Sequence, residues 1–126
     1  MVLRTRVDAD RRMELIGYFQ DLSSREIQRS LWIDEDYEVG KFDKILYSYY
    51  EVLVLGWELD VNPERWIGVF LNSSEEASHI LEAMRLFSEI YQCHLGSKAT
   101  DIVADTRWCM FMALAERVYI MLLFGE

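Results

Sequence analysis

Ala77, Ile80, Leu81, Met84, Phe87, Tyr91 and Leu95 recur at helical spacing over about five turns, and nothing else in the chain restricts its fold so strongly. Terminus signals bracket the stripe. Ser73 and Glu76 stand in a capping-box pattern, Glu75 and Glu76 suit the positive end of the helix dipole, and Gly96 is placed to close the last turn. One proline and six glycines in 126 residues leave few enforced breaks, which favours long helices over a many-turned β fold.

The same reading extends along the chain. Leu15, Ile16, Phe19 and Leu22 predict a helix over 8–22 capped by Asp8 or Asp10, with Gly17 a slight weakness inside it. Ser23 and Glu26 form a second capping box, with Leu22 and Ile27 as its hydrophobic staple, opening a short helix over 24–32. Phe42, Ile45, Leu46, Tyr49 and Leu53 predict a third over 38–55, ended by Gly56, although the run Tyr49–Leu55 is rich enough in β-branched and aromatic residues to pair as a strand. Asn62-Pro63 signals another start, with Asn as cap and Pro at the first helical position; Trp66–Leu71 then fits a short helix slightly better than a strand. The last helix starts at Thr100 or Asp105 and runs to Phe124, apolar almost all round, as expected of a central helix buried on most sides. Ser23-Ser24-x-Glu26…Leu31 recurs as Ser73-Ser74-x-Glu76…Leu81, and two helices capped alike explain this without duplication.

These elements predict an all-α fold, one domain over 1–126 built as a single irregular bundle of five to six helices, with 73–95 and 100–124 at its centre. A small α+β domain with strands near 50–55 and 66–71 is the alternative. With 52% hydrophobic and 28% charged residues the chain carries enough apolar material for a core, and disorder is not expected.

The charge is unevenly placed. Residues 21–64 hold eleven acids against four bases, a net −7 of the total −9. Within them Asp34-Glu35-Asp36-x-Glu38 has no base at all, and Trp32, Tyr37, Tyr47, Tyr49, Tyr50 and Trp57 are interleaved. This balance argues against direct binding of nucleic acid, which needs Lys and Arg to displace counterions, and against an anionic membrane surface. Trp108–Phe124, the most apolar stretch, is interrupted by Glu116 and Arg117 and is shorter than a spanning helix requires. The first eight residues lack an apolar core for a secretory signal, so a cytoplasmic location is expected.

Residue types that carry chemistry are sparse. Cys93 and Cys109 form no C-x-x-C pair and read as free, buried thiols. His79 and Cys93 lie roughly 21 Å apart along one helix and cannot share a metal. No ligand-like spacing unites Cys93, His94 and Cys109, and His94 suits the negative end of its helix. No nucleophile elbow, dinucleotide-binding glycine motif or phosphate-binding loop is present, so neither an enzyme nor a cofactor is expected.

A solvated helix face is the bland explanation of the acids. Their clustering beside aromatics favours a binding surface, because a partner's cations would relieve the self-repulsion. The reading favoured is an acidic protein-binding module that neutralises a basic protein partner, most concretely a bacterial immunity or antitoxin protein inhibiting a cationic toxin such as a nuclease. Asp34, Glu35, Asp36 and Glu38 are expected to steer the partner, with Trp32, Tyr37, Trp57 and Glu58 as anchors. Two alternatives stand beside it: a nucleic-acid mimic that inhibits a DNA-binding defence enzyme, and a helical structural subunit that pairs with itself or another protein through an exposed apolar face.

Overall fold

The computed structural model describes residues 9–29, 41–96 and 99–125, and over them the fold is all-α. The α-helices are α1 (Ala9–Ser23), α2 (Arg25–Ile27), α3 (Lys41–Tyr50), α4 (Ser74–Cys93), α5 (Ala99–Val103) and α6 (Arg107–Phe124). A π-helical segment, Glu51–Gly56, continues α3, and a 3₁₀ turn, Pro63–Trp66, precedes α4. No strand occurs among the described residues, and the single bridge between Ile67 and Leu71 only closes a turn.

α6 packs against both α1 and α4, so these three helices form the centre of the bundle. α1 contributes Leu15, Ile16, Phe19 and Leu22, and α4 contributes Ala77, Ile80, Ala83, Met84, Phe87 and Ile90. Phe87 stacks on Phe111 with ring centroids 5.2 Å apart, and Trp108 lies 4.9 Å from Phe111. Trp108 is fully enclosed, and its indole N–H donates to Gln28 Oε1 at 3.1 Å. The Gln28 amide in turn donates to the carbonyls of Asp21 and Leu22, so this buried polar group is paired on both sides.

The long stripe on α4 forms as expected, with Ser73 Oγ accepting from the Glu76 amide at 3.2 Å. Gly96 follows with φ +85°, a left-handed conformation that suits a residue without Cβ. Leu95 lies beyond the last helical turn and is exposed, so the buried stripe stops before it. The earlier cap falls one residue later than the pattern implies. Ser23 Oγ donates back to the Gln20 carbonyl inside α1, and Ser24 Oγ accepts from the Ile27 amide. The two caps therefore stand out of step with the fifty-residue repeat.

Neither alternative strand forms. Over 51–56 the chain stays helical but widens, the Trp57 amide donating to the Val52 carbonyl at 2.8 Å. This wider turn buries the adjacent Leu53 and Val54 together. After Pro63 the helix lasts one 3₁₀ turn and the Asn62 side chain makes no capping bond. Gly68, at φ +85°, then folds the chain back so that its amide donates to the Leu71 carbonyl.

Of the two starts expected for the last helix the later one holds: α6 begins at Arg107, whose amide donates to Asp105 Oδ1 at 2.8 Å, and the short α5 precedes it as a separate helix. One expectation changes, since α6 is not buried on most sides. It encloses Trp108, Phe111, Ala115, Val118 and Leu122, while Met110, Ile120, Leu123 and Phe124 are exposed. No helix among the described residues is long and apolar enough to cross a membrane.

A buried ion pair ties the helix ends together. Arg12 donates to Glu76 Oε1 at 3.1 Å and Oε2 at 2.9 Å, and also to the carbonyls of Phe70 and Leu122, both at 2.9 Å. Glu76 Oε1 accepts further from the Asn72 amide, so this glutamate does not reach back to its cap residue as the capping box implies.

Candidate functional site: an aromatic corner at Trp57 and Glu58

Of the anchors expected from sequence, Trp57 and Glu58 fall in the described chain; Trp32, Asp34, Glu35, Asp36, Tyr37 and Glu38 lie outside the described residues. Trp57 follows the π-helical segment, and Glu58 turns the chain with φ 55°, its carbonyl accepting from the amides of Val61 and Asn62. This unusual backbone for a non-glycine residue sets both side chains at one corner.

The corner is a continuous set of rings drawn from four parts of the chain. Tyr18 on α1 meets Tyr49 on α3 edge to face at 5.2 Å and Trp57 at 6.3 Å. Trp57 lies 5.1 Å from the buried Phe70, on which Trp66 stacks at 5.0 Å. The Trp66 indole N–H donates to the Trp57 carbonyl at 2.9 Å, locking the two tryptophans together. Both are half-buried, as packing residues are.

Charged groups rim the rings. Arg65 sits over Trp66 at 4.9 Å, and Arg11 lies 5.8 Å from the same ring. Arg65 also donates to Glu58 Oε1 at 3.0 Å, with each side chain about half exposed (50% and 51%). Tyr49 donates to Asp21 Oδ2 and Tyr18 to Glu14 Oε2, both at 2.7 Å. Burial, then the Glu14 carboxylate, pushes the Tyr18 phenol up to about 12, since both disfavour the phenolate. Asp60, two residues beyond Glu58, has a buried Oδ1 with no hydrogen-bond partner among the described residues. Leaving such an oxygen unmatched costs about 1–3 kcal/mol.

A second polar cluster joins α4 to the α5–α6 break. His94 Nε2 lies 2.8 Å from Asp105 Oδ2, and Arg107 grips Asp105 through Nε and Nη2 while Nη1 reaches Glu89. Hydrogen bonds from the Arg107 side chain, then from His94, hold the Asp105 carboxyl well below the usual range. His94 is thus paired with a carboxylate rather than held by the helix terminus alone. Both cysteines are free but exposed, not buried. Each has an arginine neighbour, Arg107 beside Cys93 and Arg25 Nη2 at 3.5 Å from Cys109 Sγ. Among the described residues no three His, Cys, Asp or Glu converge as metal ligands would.

Of the corner's rings only Trp57 was among the expected anchors; Tyr18, Phe70, Arg11 and Arg65 were not foreseen as its surroundings, and no spacing links these residues. Arg12 had a signal: it falls on the apolar stripe of α1, three residues before Leu15, where a charge needs a buried partner. No protein-family model, curated protein or solved structure matches this chain.

Proposed function

We propose that the chain is an acidic protein-binding module that docks a basic protein partner, in its most concrete form a bacterial immunity or antitoxin protein covering the cationic site of a toxin such as a nuclease. The observation that carries this reading is the Trp57–Trp66 corner, where two guanidinium groups of the chain itself already pack on an aromatic face. A partner's arginine has the same chemistry available at the Trp66 face that Arg65 now covers. The Glu58–Arg65 bridge is half exposed and worth at most about 1 kcal/mol, so an incoming cation exchanges with Arg65 at little cost. Asp60 Oδ1 offers a further acceptor if the turn opens slightly on docking.

In this mechanism no bond is made or broken. The acids raise the encounter rate through their long-range field, and the rings slow release by burying flat surface. The test is affinity capture from the source cell lysate at low salt, repeated with Trp57→Ala combined with Glu58→Arg and with Glu82→Arg as a remote control. A basic protein that is eluted by high salt, lost with the double variant and kept with the control is the expected result. Equal capture by all three proteins, or capture of no basic protein, refutes the assignment.

A further inference from the structure

We infer that Arg65 is the chain's own occupant of an arginine-binding site and competes with a partner's arginine for the Trp66 face and the Glu58 carboxylate. The inference rests on the proposed function and deepens it, naming the group recognised at the corner and a restraint on its capture. Arg65 itself shows what the site takes. Its guanidinium lies over the Trp66 ring at 4.9 Å while Nη1 donates to Glu58 Oε1 at 3.0 Å. Ring and carboxylate are therefore spaced so that one planar cation meets both at once. An ammonium group is compact and has no flat face, so it gains less from the same pair.

Three observations separate this arrangement from an ordinary surface bridge. First, the ring is fixed in advance. The buried Phe70 stacks on it at 5.0 Å, and the Trp57 carbonyl accepts its indole N–H at 2.9 Å. A platform already held in place needs little further ordering when a ligand arrives. Second, the carboxylate stands on an unfavourable backbone. Glu58, at φ 55°, is the one non-glycine residue with positive φ among the described residues. Glycine would hold this turn with less strain, so its side chain is what explains a glutamate there. Third, the present occupant is loosely held. The Arg65 and Glu58 side chains are each about half exposed, so water screens both contacts. Arg11 is already 5.8 Å from Trp66 and 5.9 Å from Phe70, and a third cation beside these two meets like charge. An incoming arginine therefore replaces Arg65 rather than joining it. The partner's apparent affinity is its intrinsic affinity reduced by the fraction of time that Arg65 leaves the site open.

Nuclear magnetic resonance titration of the full chain with N-acetylarginine methylamide tests the inference. The readout is the Trp66 ring signals, assigned through Trp66→Phe. The probe is expected to shift these signals in the native chain and to bind Arg65→Ala about ten-fold more tightly. Arg65→Lys leaves the net charge unchanged and weakens only the self-contact, and is expected to tighten binding several-fold. Arg117→Ala makes the same charge change as Arg65→Ala on the exposed side of α6, and is expected to leave the affinity nearly unchanged. The lysine counterpart of the probe is expected to bind more weakly to every variant. Trp66 signals that never move overturn the site. Equal affinity for the native chain, Arg65→Ala and Arg65→Lys overturns the competition, as does an equal gain from Arg117→Ala. Equal binding of the two probes overturns the choice of arginine. The proposed function survives each of these failures if the captured basic protein is still lost with Trp57→Ala combined with Glu58→Arg.

Discussion

Arg12→Ala withdraws the donors from both Glu76 oxygens and from the Phe70 and Leu122 carbonyls in one step. The pair is nearly sealed from water, its side chains 7% and 4% exposed, so Glu76 is left as a charge whose remaining donor among the described residues is the Asn72 amide at the start of α4. Breaking one side of such a buried pair costs about 3–5 kcal/mol, and two stranded carbonyls add about 1 kcal/mol between them after relaxation. The total, about 4–6 kcal/mol, is comparable to the whole stability of a small domain. Urea unfolding followed by far-ultraviolet circular dichroism measures it. With a slope of about 2 kcal/mol/M, the midpoint falls by about 2–3 M. Arg12→Met with Glu76→Leu removes both charges while keeping volume, and is expected to be more stable than Arg12→Ala by about 2 kcal/mol or more. A loss under about 1 kcal/mol for Arg12→Ala, or a double variant that costs the full sum of its single changes, refutes the role given to this pair.

Other outcomes follow from the same geometry. A Cβ at Gly125 lies 2.5 Å from Glu76 Oε2 and 2.9 Å from the Met121 carbonyl, so Gly125→Ala is expected to lower stability by about 1–3 kcal/mol in the same urea assay. Because the Tyr18 phenol is raised from 10.0 to about 12, the folded state holds its proton where the unfolded state loses it, and this contribution to stability is present below pH 10 and is lost as pH rises toward 12. Ultraviolet titration at 295 nm should show a late phenol that Tyr18→Phe removes. The depressed Asp105 carboxyl has the opposite sign: its contribution is present at neutral pH and is lost only as strong acid protonates it, so Asp105→Asn is expected to lower the melting temperature at pH 7 more than in strong acid. Asp60→Asn, which removes the charge from an oxygen without a partner, is expected to leave stability unchanged or raise it by up to about 1 kcal/mol; a larger loss would show that this carboxylate is matched in solution.

What could be read from sequence depended on whether the deciding contact was local. α1 and α4 were legible because their stripes repeat over many turns and Ser73 caps its own helix three residues on. The second cap was expected at Ser23, but Ser23 bonds back to Gln20 and Ser24 caps the helix instead, a choice the capping-box pattern does not reveal. The start of α6 near Asp105 was one of two that the sequence offered, and with no proline or glycine there nothing local chose between them; in the structure Arg107 grips Asp105 at that point. The apolar run through Val52–Leu55 hides a π-helical turn in which Leu53 and Val54 both join the core, a packing that no local signal records. At the corner, Trp57 and Glu58 were visible as an aromatic beside an acid, whereas Tyr18 and Phe70 reach Trp57 from positions far away in the chain. Exposure of Cys93 and Cys109 depended in the same way on which face of each helix met its neighbours.

The central claim is recognition of a basic partner by a negative surface, and the association rate as a function of salt tests it most directly. Once the captured protein is in hand, stopped-flow mixing from low to high ionic strength compares the native chain with a variant carrying Asp34→Lys, Glu35→Lys and Asp36→Lys. The account predicts fast association that slows steeply with salt for the native chain, and slower, flatter kinetics for the variant. Identical rates and identical salt dependence for the two proteins would contradict it.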